Sequence, residues 1–256
     1  MSNVVINSDN KTISVNGVKT FPVGMGQGGG LNSGQHPEKT TDFLFRVDFA
    51  GYPWNAVSKQ GYLNALPGYG NGQYLVAGAT TTFTAAELAD SRLFARMLVD
   101  EPDLGLMTPA QVRALNVSVK ASDPNHLTLM NVTLRDESSG NTNKGSFTAY
   151  NGCSDIIMWD QYTVYDSRLS GEDGNWLRSD SPYAYESRTM FGVAKDLPNY
   201  NFDSILQPVW AVVQAYGKPY RGGGSYGVLT QSEVRIMTYL PITMNARGIV
   251  YWMCIG

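Results

Sequence analysis

Along the 256-residue chain, short continuous apolar runs alternate with stretches whose apolar positions recur at helical spacing. Runs of this kind are what strands buried on both faces require. They predict strands over Thr20–Gly26, Trp54–Ser58, Gln73–Ala79, Ala95–Glu101, Leu127–Val132, Asp155–Tyr162, Val209–Gly217 and Gly248–Ile255. Three stretches between them carry capping-box signatures: Thr84–Glu87, Thr108–Gln111 and Thr230–Glu233. In such a box the threonine hydroxyl and the acid or amide three residues on satisfy each other's backbone N–H groups. The boxes predict helices over Ala85–Arg92, Pro109–Lys120 and Gln231–Asn245, with Pro241 kinking or shortening the last. Pro109 falls at the first helical position, where its missing N–H does no harm. Weaker helical patterns cover Thr41–Ala50, Tyr62–Leu66 and Tyr183–Lys195.

Repeated strand-then-helix units with buried strands predict an α/β chain with a parallel sheet. Eight such units in this length point to a closed (β/α)8 TIM barrel over residues 19–256. A doubly wound open sheet is the alternative. It would carry a Gly-rich turn leading into a helix, and "GMGQGGG" at Gly24–Gly30 is followed by His36 and Pro37 instead. Ahead of the barrel, "VVINSDNKTISVNG" alternates around Ser8–Lys11, so residues 1–18 read as an N-terminal β-hairpin able to plug the barrel bottom. The last strand has no helix after it. The expectation is a barrel lacking its final helix, with a partner chain or domain over the uncovered side.

Composition narrows the function. Charged residues make up 16% and the net charge is −3 without a basic cluster, which argues against nucleic acid. No run approaches the roughly 20 apolar residues of a membrane span. "MSNVVINSDNK" has no basic start or apolar core, so no secretion signal is recognised. Cys153, Cys254, His36 and His126 show no metal spacing, and Cys153 and Cys254 read as small buried hydrophobes. No cofactor is expected.

In a parallel barrel the functional groups gather at the C-terminal ends of the strands. Those ends collect Gln27, the run Asp100-Glu101-Pro102-Asp103, Trp159-Asp160-Gln161-Tyr162, Gln214-Ala215-Tyr216 and Trp252. Carboxylates among aromatic platforms suit a carbohydrate: sugar C–H faces stack on rings, and hydroxyls bind Asp and Gln. Two carboxyls across a glycosidic bond hydrolyse it. Glu101 and Asp160 are the candidate catalytic pair. Asp100, Gln27, Tyr162, Gln214, Tyr216 and Trp252 are candidate substrate-binding residues, and Tyr251 and Trp159 stand among the mouth aromatics. Asp100 stands beside Glu101, where like charge raises the pKa an acid catalyst needs. Asp155, at the other end of its strand, reads as structural.

The segments "ISVNGVKTFPVGMG", "RMLVDEPD", "VKASDPNHLTL", "SDIIMWDQYTV", "PVWAVVQAYG" and "LTQSEVRIMTYLPITMNARGIVYW" resemble, in order, segments of (β/α)8 glycoside hydrolases. That broad group contains β-galactosidase, cellulase and mannanase barrels. The resemblance implies that Glu101 is the general acid/base at the end of strand four. It departs from the pattern at Asp100, where those enzymes have Asn, and at Gln214, where they place a nucleophilic Glu. A glutamine cannot attack an anomeric carbon. Two readings follow: a hydrolase in which Glu101 and Asp160 face each other across a cleft, or a catalytically inactive glycan-binding barrel within a larger cell-surface or virion assembly.

Overall fold

The structure is a computed structural model that describes residues 4–8, 11–27, 45–48, 74–80, 82–132, 149–160, 205–215 and 231–252. Three short strands open the chain, β1 (Val4–Ile6), β2 (Ile13–Val15) and β3 (Val18–Thr20), paired as an antiparallel sheet in the order β1-β2-β3. The hairpin expected over residues 1–18 is therefore the first part of a three-stranded unit. Its second turn places Asn16 and Gly17 at positive φ, where glycine is free of strain.

Then come β4 (Val23–Gln27), β5 (Phe45–Asp48), β6 (Tyr74–Gly78), α1 (Ala85–Leu88) and β7 (Leu93–Asp100). A 3-10 turn over Pro102–Leu104 leads to α2 (Pro109–Ser122), β8 (Leu127–Val132) and β9 (Ile156–Asp160). β10 (Val209–Gln214), α3 (Gln231–Thr243) and β11 (Gly248–Trp252) complete the elements. The chain is thus α/β. The parallel strands β4 to β11 join in a closed order, β10-β11-β4-β5-β6-β7-β8-β9, with β9 returning to β10.

The capping boxes at Thr84 and Thr108 form as read. Thr108 N–H, for example, donates to Gln111 Oε1 at 2.7 Å. α1 ends at Leu88 rather than Arg92, and α3 runs through Pro241 and stops at Thr243. The largest departure is the second barrel strand. Phe45–Asp48 pairs in parallel with both β4 and β6, inside the stretch read as a helix over Thr41–Ala50. Only four residues long, with Arg46 and Asp48 breaking its apolar run, it is too short to show a period of two against the helical pattern around it. The stretches Trp54–Ser58, Tyr62–Leu66 and Tyr183–Lys195, and the box threonine Thr230, lie outside the described residues.

Pleating divides each strand's side chains between two cores. Leu129, Ile156, Met158, Trp210, Val212 and Val250 join an inner cluster with Phe94 and Met97. Their neighbours Met130, Val132, Ile157 and Trp159 join an outer cluster with Val112 and Val119 of α2. Ala211, Val213 and Ile249 meet Met237 of α3. Val4, Ile13 and Val15 of the N-terminal sheet belong to the inner cluster, so the sheet packs against the barrel interior as the plug reading expects. Lys11 Nζ donates to the carbonyl of Ile205, just before β10 begins. Inside the barrel Trp210 lies across Gly248, where an added Cβ would meet the indole at 2.8 Å, so the glycine is a space requirement.

Candidate active site

Two bulges shape the strand that carries the acidic run. Between Met97 and Asp100, β7 advances three residues while β8 advances two, from Leu129 to Asn131. The extra residue lets Asp100 pair with Asn131 after Leu98 and Val99 have turned to the outer layer. The last ladder bond is Glu101 N–H to the Asn131 carbonyl at 3.0 Å. Pro102 follows and can donate nothing further, which ends the strand as read from the sequence.

Glu101 itself sits in the left-handed region at φ 47°, ψ 48°. A residue with a Cβ is strained there, typically by about 1–2 kcal/mol. Such strain persists only where the surroundings over-determine it, and it clusters at functional sites.

Three carboxyls and one amide meet at this end of the barrel. Asn131 is fully buried and donates its Nδ2 to Asp100 Oδ1 at 2.9 Å. Asp160, which ends β9, is only 4% exposed. Burial holds the Asp160 carboxyl well above the usual carboxylate value. The negative charges of Glu101 and Asp100 and a hydrogen bond with Glu101 act in the same direction, while Asn131 opposes them. Burial likewise pushes Asp100 up to about 7, helped by the charges of Glu101 and Asp103 and opposed by the Asn131 hydrogen bond. Oδ1 of Asp160 and Oδ1 of Asn131 are both buried and have no hydrogen-bond partner.

Glu101 and Asp160 are close enough for the charge of Glu101 to act on Asp160, and no described salt bridge involves Asp160. Glu101 and Asp100 are at the strand end, as read. Trp252 is half-buried beside the inner cluster, on the inward face of β11. Gln27 pairs with Asp48 at the ends of β4 and β5, and Gln214 pairs with Trp252 at the ends of β10 and β11. Tyr162 and Tyr216 lie outside the described residues.

Two aromatic residues counted among the mouth platforms face elsewhere. Trp159 is fully buried in the outer cluster, one position out of phase with Asp160. Tyr251 packs on the outer side, its hydroxyl 3.0 Å from Thr238 Oγ1 of α3. Asp155 is structural as expected: it accepts from Thr128 N–H at 2.8 Å and pairs with Lys120 at 2.5 Å.

Sequence reasoning missed Asn131, whose signal was its position two residues beyond inward-facing Leu129. Among the described residues no group of three or more His, Cys, Asp or Glu is arranged to hold a metal ion. No helix among them is long and apolar enough to cross a membrane.

No family profile matches the chain, and no curated protein matches it. Solved structures similar to it over nearly its whole length are glycoside hydrolases. Bacteroides uniformis β-glucuronidase 2 aligns with a TM-score of 0.58 at 12% identity, over 99% of this chain and 32% of that one. A β-D-glucuronidase of Dictyoglomus thermophilum gives 0.55 at 12% identity, over 99% and 47%. A glycosyl hydrolase family 2 member from Bacteroides cellulosilyticus gives 0.53 at 11%, over 98% and 30%. The chain spans less than half the length of each. At these identities the likeness is one of fold alone.

Proposed function

We propose that the chain is a (β/α)8 TIM-barrel glycoside hydrolase module that cleaves an O-glycosidic bond of an oligo- or polysaccharide, with Glu101 as general acid. The observation that carries this reading is the carboxyl cluster of Asp100, Glu101 and Asp160 at the C-terminal end of a closed parallel barrel. Two carboxyls beside Glu101, those of Asp100 and Asp160, are pushed up by burial and by the neighbouring negative charges, the setting in which acid catalysis at neutral pH is found. Trp252 offers an aromatic face, and Asp100, Gln27, Gln214, Tyr162 and Tyr216 are assigned to sugar hydroxyls and ring faces.

Hydrolysis also needs a second carboxylate, about 5–5.5 Å away for retention or about 6.5–9.5 Å for inversion. We assign Asp160, which ends β9, as that second carboxylate.

One observation favours a second reading. Gln214, not a glutamate, ends β10, so a barrel that binds glycans without cleaving them is the alternative. Reducing-sugar release from a broad glycan panel, wild type beside Glu101→Gln, separates the two. Release lost in the variant supports hydrolysis. Binding retained by both proteins without release supports the lectin-like barrel.

A further inference from the structure

The end of β7 does not keep one alternation. On β8, Leu129 faces the inner core and Asn131, two residues on, shares its phase. On β7, Met97 is inward, while Leu98 and Val99 both join the outer layer. The extra residue brings Asp100 into register with Asn131. Continued pleating would then send the next side chain, Glu101, outward. The chain instead leaves the extended region at that residue, with Glu101 at φ 47° and ψ 48°.

Three hydrogen bonds fasten this turn. Glu101 N–H donates to the Asn131 carbonyl at 3.0 Å, and Leu104 N–H donates to the Glu101 carbonyl at 3.1 Å. Asn131 Nδ2 donates to Asp100 Oδ1 at 2.9 Å. Asn131 therefore grips two consecutive residues of β7, one through its side chain and one through its main chain. The main-chain bond is available to any residue at 131. The side-chain bond needs a donor of this length. Asn131 is fully buried, and its register partner on β9, Met158, is fully buried too, so the amide has little room to turn away.

We propose that Asn131 is a positioning residue: its side chain locks the bulge of β7 in the register that holds Glu101 in its left-handed turn at the barrel mouth. This rests on the hydrolase reading, in which Glu101 is the general acid, and adds how that acid is aimed. Without the Nδ2 bond the extra residue can slide along β7, and the strain at Glu101 favours its return to an extended conformation. The carboxyl would then follow the pleat away from the mouth.

The test is amide hydrogen exchange of the whole purified chain, read residue by residue by NMR. Ala79 N–H, which donates to the Met97 carbonyl at 2.7 Å just before the bulge, is the reference. Asn131→Ala should speed exchange at Glu101 by about 10- to 100-fold more than at Ala79. Asp100→Ala removes the acceptor and should do the same. Asp100→Asn keeps an oxygen for Nδ2 and should leave the Glu101 amide as protected as in wild type. Equal acceleration at Glu101 and Ala79 would mean that Asn131 only stabilises the barrel, and that overturns the proposal. So does an Asp100→Asn variant as loose at Glu101 as Asp100→Ala. If Asn131→Ala does not fold, the two Asp100 variants decide.

In parallel, Asn131→Ala should lower kcat for glycan hydrolysis on the order of 100-fold, with a much smaller change in KM, because a misaimed acid slows chemistry more than binding. An unchanged kcat overturns the positioning role. If wild type hydrolyses no glycan, the hydrolase reading fails, while the exchange comparison still decides whether the Asn131 side chain holds Glu101.

Discussion

Asn131 donates to Asp100 at 2.9 Å, and among the described residues this is the one interaction on Asp100 that opposes its protonation. Asn131→Ala is therefore expected to raise the Asp100 pKa above its value of about 7 and to cost about 1–3 kcal/mol of stability. Asn131→Asp should be worse, since it buries a further acid among three. Carboxyl titration by NMR beside urea unfolding checks both. An unmoved Asp100 in the alanine variant would show that the bond does not act on it.

Stability should fall as pH rises from about 4 towards about 7. Asp100 in the folded chain stays protonated up to about 7, while in the unfolded chain it ionises near the ordinary aspartate value of 3.8. Between those values the folded state binds more protons, so each pH unit costs up to about 1.4 kcal/mol per such group. Its stabilising share is whole below the lower value and lost through the upper one. Asp100→Asn should flatten the slope; an equal slope in wild type and variant would refute the assignment.

The strained backbone at Glu101 predicts a trade between stability and function. Glu101→Gly relieves the left-handed conformation at φ 47° and removes one of the crowded charges. It should stabilise the fold by about 0.5–1 kcal/mol while abolishing any hydrolysis. A lower melting temperature in this variant would mean that the position stores no strain.

On the outer side, Arg96, Asp123 and His126 form a sealed network. Arg96 Nη1 lies 3.2 Å from Asp123 Oδ2, its Nη2 donates to the carbonyls of Gly78 and Ala79, and His126 Nδ1 lies 2.6 Å from Asp123 Oδ1. Burial alone would raise the Asp123 pKa; the bonds from His126 and Arg96 outweigh it and hold the carboxyl below its usual value. Removing one partner leaves a buried charge uncompensated, so Arg96→Met is expected to cost about 3–5 kcal/mol. Replacing Arg96 and Asp123 together should cost clearly less than the sum of the single changes in a double-mutant cycle.

Much of the fold was legible in the chain because buried parallel strands are continuous apolar runs. The segments at 93–100, 127–132, 156–160, 209–214 and 248–252 show this plainly, and Thr84 and Thr108 mark helix starts by chemistry alone. β5 escaped because four residues with two charged side chains carry no period. At the site, Glu101 and Asp100 could be placed by the rule that strand ends form the mouth. Which way Trp159 and Tyr251 pointed could not, because one residue of phase separates the inner face from the outer, and the bulges in β7 shift the phase of its own end. The inward phase of Asn131 was readable from Leu129, but its role was not, because that arises from Asp100 on the adjacent strand.

The pairing of β4 with β11 joins Val23 to Ile249. The first barrel strand therefore finds its second edge only when the last one arrives. During synthesis Val4, Ile13 and Val15 leave the ribosome long before Trp210 and Val250, the residues they end up beside in the inner core. Until β11 closes the seam, β4 and β10 each expose an unpaired backbone edge, and the bare glycine at 248 is not yet there to receive the indole of Trp210. Closure at such sequence separation is slow, and open edges beside apolar surface invite other chains. A fragment truncated before Gly248 should accordingly self-associate rather than accumulate as a folded monomer, and the ring as a whole should behave as one all-or-none unit.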